Sequence, residues 1–157
     1  MMHTRDLKEI GKSLANARRF DDAIAVFEKV RGRDPDDVHA LDMLGFLYYS
    51  VERFDEARRC CEASLALGPE NHYALKGLGL CLVKLGQTAE GIATLERSIA
   101  LKPDYFDSRH DLGVTYMELE RWDEARACFH CALEIDPRRA VAVQRALARI
   151  DELSGGA

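Results

Sequence analysis

The stretch Cys128-Phe129-His130-Cys131 has the residue types that most readily suggest chemistry, because thiolate and imidazole are zinc ligands and paired cysteines carry redox reactions. A structural zinc site needs four such ligands, and no second Cys/His pair at ligand spacing completes a set. A redox pair of this spacing normally opens a helix, where the thiolate is stabilised. Here the surrounding apolar periodicity puts the four residues in mid-helix with Phe129 in the core, and Cys60 and Cys61 occupy related places upstream. The expectation is no metal, no cofactor and free cysteines packed as small hydrophobes, five in all, in a reducing compartment.

The nearest approach to acid–base catalysis is His39 with Asp42 and His110 with Asp107, each pair three residues apart on one helix face. A nucleophile such as Ser50 has no evident base, and helix interiors leave no N–H groups for an oxyanion. Lys76-Gly77-Leu78-Gly79 has the composition of a phosphate loop but lies inside a helical pattern. No enzyme activity is expected, and the histidines read as partner contacts or as exposed side chains.

What positions these residues is a repeat. The only four prolines are Pro35, Pro69, Pro103 and Pro137, in steps of 34, and Gly11, Gly45, Gly79 and Gly113 keep the same step. Each unit carries apolar residues at helical spacing in two runs, as in Leu7, Ile10, Leu14 and then Phe20, Ala23, Ile24, Phe27. Between the runs, Asn16-Ala17-Arg18-Arg19 predicts a turn in the first unit and Leu85-Gly86-Gln87 one in the third. Proline closes each second run, since the residue before it is pushed out of the helical region. No segment alternates with period two, so no strands are expected.

The units run over residues 4–37, 38–71, 72–105 and 106–139, followed by a capping helix over 140–153 and a flexible tail over 154–157, all within one domain. Val143, Ala146 and Ile150 give the cap one apolar side, with Arg145, Arg149 and Asp151 on other faces. A hairpin of this size cannot bury its own apolar face, so neighbours must stack. The recurrent glycine implies a close helix approach that outweighs its cost of about 1 kcal/mol in a helix. Ala23, Ala57, Gly91 and Ala125, also 34 apart, are the residues expected to face it.

The pattern Leu7…Ile10-Gly11…Leu14…Ala23…Phe27…Pro35, matched by Leu41…Leu44-Gly45…Tyr48…Ala57…Cys61…Pro69, resembles the tetratricopeptide repeat. Leu75…Leu78-Gly79…Leu82…Gly91…Leu95…Pro103 and Arg109…Leu112-Gly113…Tyr116…Ala125…Phe129…Pro137 continue it. Arg109, Gly91 and Cys61 depart from the family's residue types. The resemblance implies an all-α, right-handed superhelix of four helical hairpins plus a C-terminal capping helix, with the first helices lining a concave groove. It puts Arg5, Lys8 and Lys12 in that groove from the first repeat and His39, Asp42, Phe46 and Tyr49 from the second. The third contributes Tyr73, Lys76, Leu80, Val83 and Lys84, and the fourth His110, Val114 and Met117.

Phe46, Leu80 and Val114 form one apolar row in register, and Tyr49, Val83 and Met117 a second. Two readings of the rows stand: an exposed interaction surface, or side chains that bury one another. The groove's basic residues favour a peptide or partner helix with apolar anchors and some acidic residues, or else mark a solvated face. A clamp for the C-terminal carboxylate of heat-shock chaperones, known in the family, is not expected, since of Lys8, Lys12, Met43, Tyr73 and Gly77 only Lys8 is of the required type. The leading expectation is a non-catalytic protein-interaction scaffold. Self-assembly through the repeat ends, with Leu7, Ile10 and Leu14 open to another copy, and a repeat portion accompanying an enzyme are the alternatives.

The formal charge of −5 argues against a general nucleic-acid binder. The middle repeats are acidic and both ends mildly basic, with eight Lys/Arg against six Asp/Glu in residues 1–34 and four against two in 138–157. The N-terminal MMHTRDLKEI lacks the apolar core of a secretory signal, and no apolar run reaches membrane length. A cytoplasmic protein without membrane insertion is the expectation.

Overall fold

The structure is a computed structural model and describes residues 1–155. Among these the chain is all-helical, with no strand: α1 (Thr4–Asn16), α2 (Phe20–Arg33), α3 (Val38–Ser50), α4 (Phe54–Leu67), α5 (His72–Lys84), α6 (Thr88–Leu101), α7 (Phe106–Glu118), α8 (Trp122–Ile135) and α9 (Ala140–Leu153). A single 3₁₀ turn, Pro137–Arg139, joins α8 to α9. Ser154 and Gly155 follow as a turn; the rest of the expected tail, 156–157, lies outside the described residues.

First and second helices start in different ways. The side chains of Asp37 and Asn71 cap α3 and α5 by accepting from the backbone N–H of Ala40 and Ala74. The second helices α2, α4 and α8 begin after Arg19, Arg53 and Arg121, each of which donates to an acid three residues on, at 2.7 Å to Asp22, 2.8 Å to Glu56 and 2.8 Å to Glu124. Arg53 and Arg121 also lie 4.7 and 4.6 Å over the rings of Tyr48 and Tyr116, which ties the two halves of their hairpins together.

Every intra-hairpin turn passes through one left-handed residue, at φ 59° in Arg18, 61° in Glu52, 86° in Gly86 and 58° in Glu120. Glycine occupies that place in only one hairpin, and the other three hold an L side chain in a region that disfavours it.

The helix glycines do sit at close approaches, but not chiefly against the small residues expected. A β-carbon on Gly11 would lie 2.6 Å from the Phe27 ring, one on Gly45 2.9 Å from Cys61 Sγ, and one on Gly113 3.0 Å from the Phe129 ring. The expected partner meets the glycine closely in the third hairpin, with Gly91 O 2.8 Å from the added atom on Gly79 and Leu95 Cγ at 2.7 Å, and more loosely in the second, with Ala57 O 3.8 Å from the added atom on Gly45. Side chains on a helix lean toward its N-terminus. Phe27 therefore lies back over the turn of Ala23, which is small enough to admit it.

Stacking then joins the hairpins. One buried cluster gathers Leu7, Phe27, Leu44 and Leu47 of the first two hairpins and reaches Cys81 on α5. A second gathers Leu95, Leu112, Phe129 and the cap residues Val143 and Ile150, both fully buried. At the other end Leu7 is buried and Leu14 half-buried, so Ile10, 39% exposed, is the apolar residue of that trio left open, among exposed Arg5, Asp6, Glu9 and Ser13. Polar links cross between hairpins too: Lys8 of α1 pairs with Asp37 at the start of α3, and Asp42 of α3, which accepts from Ser64 Oγ of its own hairpin at 2.6 Å, also accepts from Asn71 Nδ2 at the start of α5 at 3.0 Å.

Glu52→Gly is expected to raise stability by about 0.5 kcal/mol, left-handed strain relieved outweighing the added freedom of the unfolded chain, and Gly86→Ala to lower it by about 1 kcal/mol; urea unfolding midpoints check both signs. For Asp37, burial pushes the carboxyl up, but hydrogen bonds from Lys8 and the Ala40 N–H and the Lys8 charge outweigh it and hold it below its ordinary value. Such a group stabilises the fold above its unfolded pKa and loses that contribution as pH falls through the lower folded value. Asp37→Asn should therefore lower stability near neutral pH and flatten the loss of stability below about pH 4, measured as urea midpoints across that range.

Candidate functional site: the concave groove

A groove of about 680 Å³ is lined by α3, α5 and α7, by Arg18 and Phe20 of the first hairpin, by Glu52 and Phe54 of the second and by Arg139 beside the cap. Helix α1 supplies no lining residue, so Arg5, Lys8 and Lys12, expected in the groove, lie outside it. Phe46, Leu80 and Val114 all line it. Phe46 is 44% exposed and meets Phe20 edge to face at 6.3 Å, whereas Leu80 and Val114 are half-buried against the core of the third and fourth hairpins.

The second row divides. Tyr49 lines the groove and packs edge to face on Phe54 at 5.3 Å, and burial pushes its hydroxyl up to about 12. Val83 turns into the third hairpin, its Cγ2 2.6 Å from where a β-carbon on Gly91 would sit. Met117 is half-buried against the same core as Val114.

The lysines are engaged inside the protein. Lys12 bonds Glu9 on its own helix at 3.1 Å; Lys76 reaches Asp111 at 3.4 Å and Lys84 reaches Glu118 at 3.0 Å, both on the next first helix. With Lys8 and Asp37, three of these four pairs join successive hairpins. Arg5 is exposed on α1 and makes no ion pair among the described residues. Arg18 was not anticipated from the sequence: it lines the groove, has no ion pair among the described residues, and lies 5.4 Å over the Phe20 ring. Its groove position follows from its place at the left-handed turn.

Neither His–Asp pair assembles. Asp42 is held by Ser64 and Asn71, and His39 packs edge to face on Phe27 at 6.0 Å, with burial and then the charges of Lys12 and Lys8 lowering its pKa. Asp107 accepts from Arg139 at 2.6 Å, and that guanidinium lies 3.8 Å over Phe106. His110 packs on Phe106 and Phe129, each at 5.5 Å, with Nδ1 3.6 Å from Asp111 instead. Tyr73 lies 5.2 Å beneath Lys76 Nζ, and burial pushes it up to about 12.

The five cysteines are free thiols, four of them buried. Burial pushes Cys60 and Cys128 up to about 11, and a hydrogen bond with Cys81 together with burial raises Cys61 strongly. Cys128 and Cys131 fall in the middle of α8, and among the described residues no group of three or more His, Cys, Asp or Glu is arranged to hold a metal ion. No described helix is long and apolar enough to cross a membrane.

Three sequence profiles described as tetratricopeptide repeat match residues 44–104, 82–150 and 8–49. A search of curated proteins finds no match. Among solved structures, MamA of AMB-1 is 31% identical, with 97% of this chain and 82% of that chain covered at a TM-score of 0.65. TTC0263, a thermophilic TPR protein in Thermus thermophilus, is 21% identical, covers 98% and 84%, and superposes at a TM-score of 0.88. YrrB, described as a TPR protein with an unusual peptide-binding site, is 24% identical, covers 94% and 76%, and gives 0.64. With four hairpins in a right-handed superhelix, closed by a capping helix and matched by these profiles along most of its length, the chain belongs to the tetratricopeptide repeat family.

Proposed function

We propose that this chain is a non-catalytic protein-interaction module, a single repeat domain that holds a peptide or partner helix in its concave groove. The observation that carries this reading is Phe46: a large ring 44% exposed, in the same groove and the same register as Leu80 and Val114. A ring left this exposed beside two half-buried apolar side chains of the same row extends apolar surface into the groove, and such surface is the usual mark of an interaction site. YrrB, similar in fold, is described with a peptide-binding site, which is consistent with the reading.

The charges refine the partner. Because Lys8, Lys12, Lys76 and Lys84 already pair with acids of this chain, the partner is recognised first by apolar anchors. Acidic residues on it meet Arg18, the groove cation without an ion pair among the described residues, and contribute secondarily. Nucleic acid and membrane are not partners in this reading, and the reduced, buried cysteines fit work in the cytoplasm.

The test is affinity capture from the native host with Phe46→Glu/Leu80→Glu as control. The double variant is expected to lose partner recovery by about tenfold or more while its helical circular dichroism stays that of the wild type. Undiminished recovery by the folded double variant would contradict the groove as the working surface.

A further inference from the structure

The second and third hairpins each depart from the others at one place, and the two places meet in space. The side chain laid over the helix glycine is Phe27 in the first hairpin, Leu95 in the third and Phe129 in the fourth, but Cys61 in the second. On the next first helix, Gly77 stands where the other hairpins have Glu9, Met43 and Asp111. A β-carbon on Gly77 would lie 2.8 Å from Cys61 Sγ, so the two truncations adjoin. Together they leave a pocket of about 40 Å³ between α3, α4 and α5, lined by Phe46, Tyr49, Tyr73 and Leu80 as well.

Three properties define what this pocket can take. It opens on the groove, since Phe46, Tyr49, Lys76 and Leu80 line both. Its walls are mainly apolar; of the two charged residues at its edge, Lys76 pairs with Asp111, and both carboxylate oxygens of Asp42 accept hydrogen bonds, from Ser64 and Asn71. With the Lys76 charge paired and the Asp42 oxygens occupied by hydrogen bonds, the rest of the lining is apolar, and an uncharged occupant complements it. Water needs two to four polar partners to be held well, and roughly 10–15 Å³ of such space admits one water-sized group, so there is room for about three. That suits an isopropyl or isobutyl end and excludes an indole.

We propose that this pocket is a subsite for a single uncharged aliphatic side chain, valine to leucine in size, from the segment the groove holds; the assignment rests on the groove reading above. The missing aromatic at Cys61 then serves selectivity, at the expense of the packing that Phe27 and Phe129 provide in their hairpins.

The probe is N-acetyl-leucinamide, titrated into the full chain and followed by methyl NMR, with N-acetylglycinamide as control. Saturable shifts of the Leu80 and Ala74 methyls in the millimolar range are expected with the leucine probe and not with the control. Cys61→Phe, which puts the residue of the first and fourth hairpins into the pocket, should weaken the response at least tenfold; if that variant fails to fold, Cys61→Leu, the residue of the third hairpin, is read in its place. Absence of saturable Leu80 shifts, or an equal response in the filled variant, would overturn the proposal. Partner capture separates it from the broader reading: recovery kept by Cys61→Leu but lost by Phe46→Glu/Leu80→Glu would refute the subsite and leave the groove standing, whereas recovery kept by both would refute the groove itself.

Discussion

The close crossing of the two helices in each hairpin is the contact on which the rest of the structure depends. A glycine at one place on the first helix lets a side chain of the second, Phe27, Cys61, Leu95 or Phe129, lie directly on its backbone. This fixes the depth of the hairpin, and depth fixes which faces remain for neighbours. The first helix has one face committed to its own partner and another to the next hairpin, as Leu44 and Leu47, both fully buried, illustrate. What is left over points into the groove. Phe46, flanked in sequence by Gly45 and Leu47, is exposed because both neighbouring faces are already used.

The same geometry decides the groove's electrostatics. Equivalent positions on successive first helices come side by side, so a lysine in one repeat and an acid near the equivalent place in the next form a pair, as Lys84 and Glu118 do across 34 residues. Such partly exposed pairs contribute modestly to stability. Their larger effect is on recognition, because a basic groove in the sequence becomes a nearly neutral one in the fold. In the proposed reading an apolar ligand is favoured over an acidic one.

Much of this was legible in the sequence. Prolines and glycines in a common step located the hairpins, and the 140–153 cap emerged from its apolar spacing with α9 at Ala140–Leu153. The row Phe46, Leu80, Val114 followed from the repeat register and does line one groove. The side chain lying on the glycine comes from one helical turn beyond the small residue expected there, although Gly91 and Ala57 do touch their glycines, because a residue's position on a helix was read without the tilt of its side chain. The pairing of the lysines could have been found by looking for opposite charges at equivalent places in adjacent repeats. Arg18 could have been flagged by its alignment with Gly86, the one turn residue whose type reveals a positive φ. The buckle of Asp42, Ser64 and Asn71 had no sequence signal, since it joins three helices in one hairpin and the next through side chains of no special spacing.

The central claim is that the inside of this superhelix, and not its ends or outer face, meets the partner. Methyl NMR of the chain bound to a captured partner segment tests that most directly. The account predicts shift changes at Leu80 and Val114 of the groove, with the Val30 and Val143 methyls, buried away from it, little affected. Changes centred instead on Ile10 at the first helix, or on Val141 and Leu153 at the cap, would contradict it.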